Sequence, residues 1–188
     1  MALREGSQQD WESPISWEQA RAYIQENTVE SLGRMNRNNE GRAVYRAAMA
    51  DIKTRYATTQ DYLYENVFGL QTIPDAEGRR VAVLPAEFSD SNSSSVIKVW
   101  RKNDFPYNYK EGIFHFILWA NKPLPPCEIE ADIRARLPPE KPFLYWINPV
   151  QLQSVSGVSG GVAESAGPAP SLDLLNGAIL TKSHKATD

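Results

Sequence analysis

The chain has 188 residues, of which 41% are hydrophobic and 10% aromatic, and a formal net charge of −3. That size and apolar content fit one domain with its own core, and the near-balanced charge excludes a globally basic nucleic-acid binder. The single cysteine, Cys127, excludes an intrachain disulfide, and the opening MALREGSQQDW has no apolar signal core. No apolar run reaches membrane-spanning length, so a cytoplasmic protein without membrane partners is expected.

Residues 1–13 are polar and read as a loose N-terminus. Ser16 then offers a helix N-cap with Gln19 three residues on, which predicts a helix over 17–26 with Trp17, Ala20, Tyr23 and Ile24 on one face. A second short helix is expected over 29–34 and a loop over 36–41. A longer helix follows over 42–56, where Tyr45, Met49, Ile52 and Tyr56 form an apolar stripe. Arg42, Arg46 and Lys53 form a ridge beside that stripe. Between positions 34 and 55, six basic residues face two acidic ones, a local charge of +4 in an acidic chain. Such a ridge is either a solvated helix face or a surface for nucleic-acid phosphates.

A helix over 60–68 ends at Gly69. Residues 71–80 read as a polar turn region, 81–84 as a short strand and 88–95 as a polar loop. Strands are expected at 97–100 and 113–119, a helix over 128–137, a strand over 143–147 and a fourth strand over 152–158. The Gly/Ala/Pro/Ser-rich segment from 163 reads as a tail, with a short docking helix at 172–180. The resulting expectation is an α+β fold: N-terminal helices packed on a small, mainly antiparallel sheet, in one domain over 14–162 with a tail over 163–188.

The chemistry concentrates between the first two of these strands. Asn103, Asp104, Tyr107 and Glu111 crowd the entrance of an apolar strand that carries His115, and polar groups at the mouth of a rigid strand make a favourable site. The plainer reading is that Asn103 and Asp104 cap the turn and His115 is a hydrogen-bonded core residue. Cys127 has no activating neighbour in sequence. No phosphate-binding glycine loop, dinucleotide fingerprint or nucleophile elbow occurs, and two histidines with one cysteine make a zinc site a poor expectation.

Trp100-Arg101, Asn103-Asp104-Phe105-Pro106-Tyr107, Gly112-Ile113, His115 and Trp119 resemble the central motif of the fungal N-acetylglucosamine-induced protein 1 family. Ile15-Ser16-Trp17 with Tyr56 and Tyr62-Leu63 resembles its N-terminal half. Trp146-Ile147-Asn148-Pro149 with Leu152-Gln153-Ser154-Val155 resembles its C-terminal motif. The family includes arginine-containing cyclodipeptide synthases, which use aminoacyl-tRNAs.

The resemblance implies a cofactor-free aminoacyltransferase that joins arginine, delivered on arginyl-tRNA, to a second amino acid, with no DNA partner. It makes Asp104 and His115 candidate catalytic groups, and Arg101, Asn103, Tyr107, Glu111 and Trp119 candidate substrate contacts. It also favours Arg42, Arg46 and Lys53 as tRNA contacts. A base for the attacking amine and a carboxylate for the arginine side chain are needed, and Asp104 and Glu111 suit either role. One departure stands out: where relatives run into a strand with a His-x-His pattern, this chain has Gly157-Val158-Ser159-Gly160-Gly161-Val162. The alternative expectation is a non-catalytic binder of a nucleotide- or sugar-linked small molecule, and a +4 surface distinguishes the two.

Overall fold

The computed structural model describes residues 11–90, 93–153 and 159–166. Its fold is α+β, as expected. Helix α1 (Trp17–Glu26) begins at a reciprocal cap: Gln19 N–H donates to Ser16 Oγ at 3.2 Å and Ser16 N–H donates to Gln19 Oε1 at 2.8 Å. Helix α2 (Val29–Gly33) repeats the device with Thr28 and Ser31. Helix α3 (Asn39–Arg55) starts earlier than its apolar stripe, because the Asn38 side chain accepts from Gly41 N–H at 2.8 Å and caps the added turn. Helix α4 (Thr59–Asn66) is capped by Thr58, and Gly69 turns the chain away at a φ of 71°.

The region read as a polar turn is a hairpin. Strands β1 (Thr72–Pro74) and β2 (Arg80–Ala82) pair antiparallel around a turn that Gly78 closes at a φ of 78°. Asp61 of α4 holds this hairpin by accepting from Ala82 N–H at 2.8 Å. Glu65 accepts from the Tyr56 hydroxyl and, at 2.9 Å, from Arg80 Nη1. A single turn, α5 (Ala86–Ser89), opens the loop that leads to the main sheet.

That sheet has four antiparallel strands in the order β3-β4-β6-β5: β3 (Lys98–Lys102), β4 (Ile113–Ala120), β6 (Ser159–Ala166) and β5 (Phe143–Ile147). Helix α6 (Pro126–Arg134) crosses between β4 and β5, and a short 3-10 turn at Val150–Leu152 follows β5. Of the fourth strand expected at 152–158, Leu152 belongs to that 3-10 turn and residues 154–158 lie outside the described residues, and the strand that joins the sheet is Ser159–Ala166. Beta6 lies between β4 and β5, so the strand straddles the boundary drawn at 162. Residues 167–188, the expected 172–180 helix among them, lie outside the described residues, as do residues 1–10.

Strand alternation splits the core in two. On one face Leu118 packs with Ile129, Ile133 and Leu137 around α6, joined by Trp100, Phe143 and Tyr145. On the other, Trp146 of β5 packs with Ile15, Ala20, Leu32 and Met35 under α1 and α2, joined by Leu144, Tyr107 and Tyr109.

Candidate functional site

The second face of the sheet is not fully covered. Between it and α3 and α4 lies a cleft of about 270 Å³. His115, Ile117 and Trp119 of β4 line it, as the two-residue period requires once Leu118 is committed to α6. The Tyr45, Met49 and Ile52 stripe of α3 forms the opposite wall with Tyr62 of α4, while Tyr56 is fully buried behind it. Asn148, Leu152 and Gln153, from the segment after β5, close one end.

The connection from β3 to β4 supplies the polar groups. Asn103 Oδ1 accepts from Phe105 N–H at 2.9 Å, a local turn that the following proline keeps extended. The connection is stapled to the N-terminal segment. Ile15 N–H donates to Asn108 O at 2.7 Å, Lys110 N–H to Ile15 O at 2.9 Å, and Asn108 N–H to Asn36 O at 2.9 Å. These bonds fix Tyr107 beside His115, with ring centroids 4.9 Å apart.

His115 is a floor residue. It is 2% exposed, and Tyr107 N–H donates to its Nδ1 at 3.2 Å, which puts the ring proton on Nε2. The Asn103 amide nitrogen lies 3.3 Å from Nε2 and 3.4 Å from Nδ1, so it sits over the ring face. Burial, with Arg37 nearby, pushes the imidazole down to about 3. A neutral ring with its lone pair committed to a backbone N–H is poorly suited to accept a substrate proton, so the catalytic expectation for His115 is corrected to a structural one.

Asp104 stands at the mouth, exposed, with both oxygens accepting from Arg101 Nη2, at 2.9 and 2.8 Å. Arg101 also donates to Asn66 O at 3.1 Å, tying the mouth to the end of α4. Burial and the nearby Asp104 push the Tyr62 hydroxyl upward. The cleft therefore brings together Arg101, Asn103, Asp104, Tyr107, His115 and Trp119. Glu111 is not among the lining residues; it is exposed in the turn before β4, and its expected contact with substrate is corrected accordingly.

The basic ridge divides. Arg46 and Lys53 are exposed on α3. Arg42 turns inward: its guanidinium lies 4.1 Å over the Trp11 ring, its Nε donates to Arg37 O at 3.1 Å, and its Nη2 is buried with no hydrogen-bond partner among the described residues. Arg42 thus braces the loop before α3 and is unsuited to phosphate contact.

Sequence reasoning missed Arg37. It lines the cleft from that loop, with its guanidinium 4.1 Å from the Tyr45 ring and 5.3 Å from the Tyr107 ring. The signal was its place among six basic residues, but its partners lie up to 70 residues away. Among the described residues, no cluster of three or more His, Cys, Asp or Glu could hold a metal, and no helix is long and apolar enough to cross a membrane.

Comparisons with known proteins agree with this architecture. A solved structure titled "Crystal Structure of HTC1" is similar over 90% of this chain and 96% of its own, with a TM-score of 0.56 and 18% identity, which speaks to the fold alone. An uncharacterized protein of Saccharomyces cerevisiae, YPL067C, is 32% identical over 83 residues, 35% of this chain and 42% of the yeast protein. The chain thus spans less than half the length of that relative. A family model described as "Protein of unknown function (DUF3605)" matches residues 16–137, which run from the α1 cap through the cleft-lining strands to the end of the α6 core. The chain belongs to the DUF3605 family.

Proposed function

We propose that the protein is a tRNA-dependent cyclodipeptide synthase that joins arginine to a second amino acid by acyl transfer between two aminoacyl-tRNAs. The observation that carries this reading is the double use of α3. Tyr45, Met49 and Ile52 wall the cleft, while Arg46 and Lys53 of the same helix stand exposed beside it. A cleft for acyl groups and a surface for RNA phosphates are then one rigid element apart. The motif resemblance supports the reaction itself.

The chemistry needs no ATP, because the aminoacyl ester is already activated. The α-amine of one aminoacyl group attacks the ester carbonyl of the other. The amide bond forms, the ester C–O bond breaks, and the amine proton leaves with the ribose oxygen. A second attack by the remaining amine closes the ring and releases the second tRNA in the same way. Holding both acyl groups in one cleft supplies several kcal/mol, on the order of 7–11 in favourable cases. Asp104 suits the recognition of a cationic group. Arg101 uses one lone pair on each of its oxygens, and a carboxylate offers about four acceptor sites. It can therefore hold a substrate ammonium or guanidinium at the mouth.

The test is incubation with charged tRNAs, arginyl-tRNA included, and detection of cyclic dipeptides by mass. Wild-type protein should form an arginine-containing product. Asp104→Asn should lower its rate by roughly 10²-fold while the melting curve hardly moves, since Asn keeps the turn chemistry. Absence of product from the wild type overturns the reading. The second reading, a non-catalytic binder of a nucleotide- or sugar-linked molecule, is favoured by His115, which leaves the cleft floor without an available base. Co-purifying RNA argues for the first reading, and its absence together with tight binding of a small phosphorylated metabolite argues for the second.

A further inference from the structure

We infer that Arg37 is an anion-binding residue of the cleft and takes the phosphate of a nucleotide whose base lies against the aromatic wall. The inference rests on the synthase reading only for the source of that nucleotide, the 3′ end of a tRNA.

Arg37 is held in place before any ligand arrives. Its Nε donates to Phe105 O at 3.0 Å, its backbone N–H donates to Asn36 Oδ1 at 2.8 Å, and its carbonyl accepts from Arg42. Tyr45 and Tyr107 carry its guanidinium on their rings, and Tyr45 is itself buttressed edge-on by Phe105 at 5.3 Å. A long side chain fixed in this way has little rotamer freedom left to lose on binding.

The fixed cation lacks a counter-charge. Among the described residues Arg37 makes no ion pair, and neither Nη nitrogen has a hydrogen-bond partner. Asp104, the carboxylate among the cleft-lining residues, is already paired with Arg101. Half-burial of an unpaired guanidinium is unfavourable, and an incoming anion offsets it. The two free Nη groups form a planar fork that matches two phosphate oxygens. Tyr62 and Trp119 offer flat surface for a base, and Met49, Ile52 and Ile117 make the remaining wall apolar.

Isothermal titration of the full chain with AMP and with adenosine tests the assignment. AMP should bind at least ten-fold more tightly than adenosine. Arg37→Gln should abolish that advantage while leaving adenosine unchanged, and Arg37→Lys should keep part of it. Equal affinity of wild type for the two compounds, or an unchanged preference in a folded Arg37→Gln protein, overturns the proposal.

A measurement without any variant guards against misfolding. AMP, and not adenosine, should protect Arg37 from phenylglyoxal, read by peptide mass; equal modification in both cases also overturns it. A cytidine-cytidine-adenosine trinucleotide distinguishes the sources. Tighter binding than AMP points to a tRNA end, and weaker binding points to a free nucleotide. AMP preference without cyclic dipeptide formation would sink the synthase reading and leave this site standing. Dipeptide formation without AMP preference would do the reverse.

Discussion

The two faces of the main sheet are built from alternate residues of the same strands and solve opposite problems. Under α6 the face is closed: Leu118 is 2% exposed and Ile133 1% exposed, and Trp100 stacks on Phe116 at 5.2 Å. Its charged groups are satisfied among themselves. Lys98 Nζ donates to Asp132 Oδ2 at 2.6 Å, and Arg136 Nη1 donates to Asp132 Oδ1 at 3.0 Å. Burial works against the Asp132 charge, but these two cations outweigh it and hold its carboxyl below the usual range. The opposite face keeps a cleft, a histidine buried neutral and an arginine with no acid partner among the described residues. A face whose groups are mutually satisfied has nothing to offer a ligand. One that leaves aromatic rings and a fixed cation incompletely covered has stability to gain from one.

The sharpest way to break this comparison is to truncate neighbours on the two faces. Leu118→Ala should cost about 2–5 kcal/mol, since it opens a cavity in a closed cluster that α6 cannot collapse into. Ile117→Ala, one residue earlier on the half-covered cleft wall, should cost closer to 1 kcal/mol, because only part of that side chain leaves water on folding. Denaturant unfolding of both variants measures the difference. Equal losses would mean that the cleft face is as tightly packed as the α6 face.

A smaller effect comes from protons. The His115 imidazole is depressed from 6.5 to about 3 by burial and by Arg37. Between those two values the unfolded chain binds a proton that the folded chain refuses. The stability this group contributes is therefore complete above pH 6.5 and falls as pH drops toward 3, with a slope of up to about 1.4 kcal/mol per pH unit. His115→Gln should flatten the stability profile between pH 6.5 and 5, where few carboxylates yet titrate. An unchanged slope would show that another group drives the acid sensitivity and that His115 is not held neutral by the fold.

Helix α1 and strand β5 were legible because their signals are local. A cap pair three residues apart and a run of five apolar residues need no tertiary knowledge. The β3–β4 pairing was legible for the same reason: its polar connection is written between two apolar runs. Beta6 was not. Its stretch, SGGVAESA, has neither apolar alternation nor β-branched enrichment, and what makes it a strand is pairing on both edges with β4 and β5. The hairpin escaped because its strands are three residues long and one ends in Pro74. The apolar stripe of α3 was read correctly as a stripe, but sequence could not say that Tyr45 and Met49 face a cleft instead of a sealed core. Sequence proximity put Arg42 on the outer ridge and left Arg37 without a role. They lie among other basic residues in sequence, yet Trp11, Phe105 and Tyr107, all far from that segment, hold them, together with the nearby Tyr45 ring and Arg37 carbonyl.

That division of the basic segment sets the last and smallest expected effect. Arg46 and Lys53 are exposed and make no ion pair among the described residues, so changing both to Gln should move stability by no more than about 0.5 kcal/mol. Arg42→Gln belongs in a separate variant. It removes the stacking on Trp11 and the bond to the Arg37 carbonyl, and it should loosen the cleft loop whether or not RNA is bound. If the α3 ridge contacts tRNA phosphates, the Arg46/Lys53 pair should reduce the slope of log affinity against log salt by about one to two. AMP binding in the cleft should stay unchanged, since neither residue lines it. A preserved salt slope would return the ridge to the role of a solvated helix face. The cleft would then have to recruit its ligand without help from α3's outer surface, which fits a small phosphorylated molecule better than a tRNA.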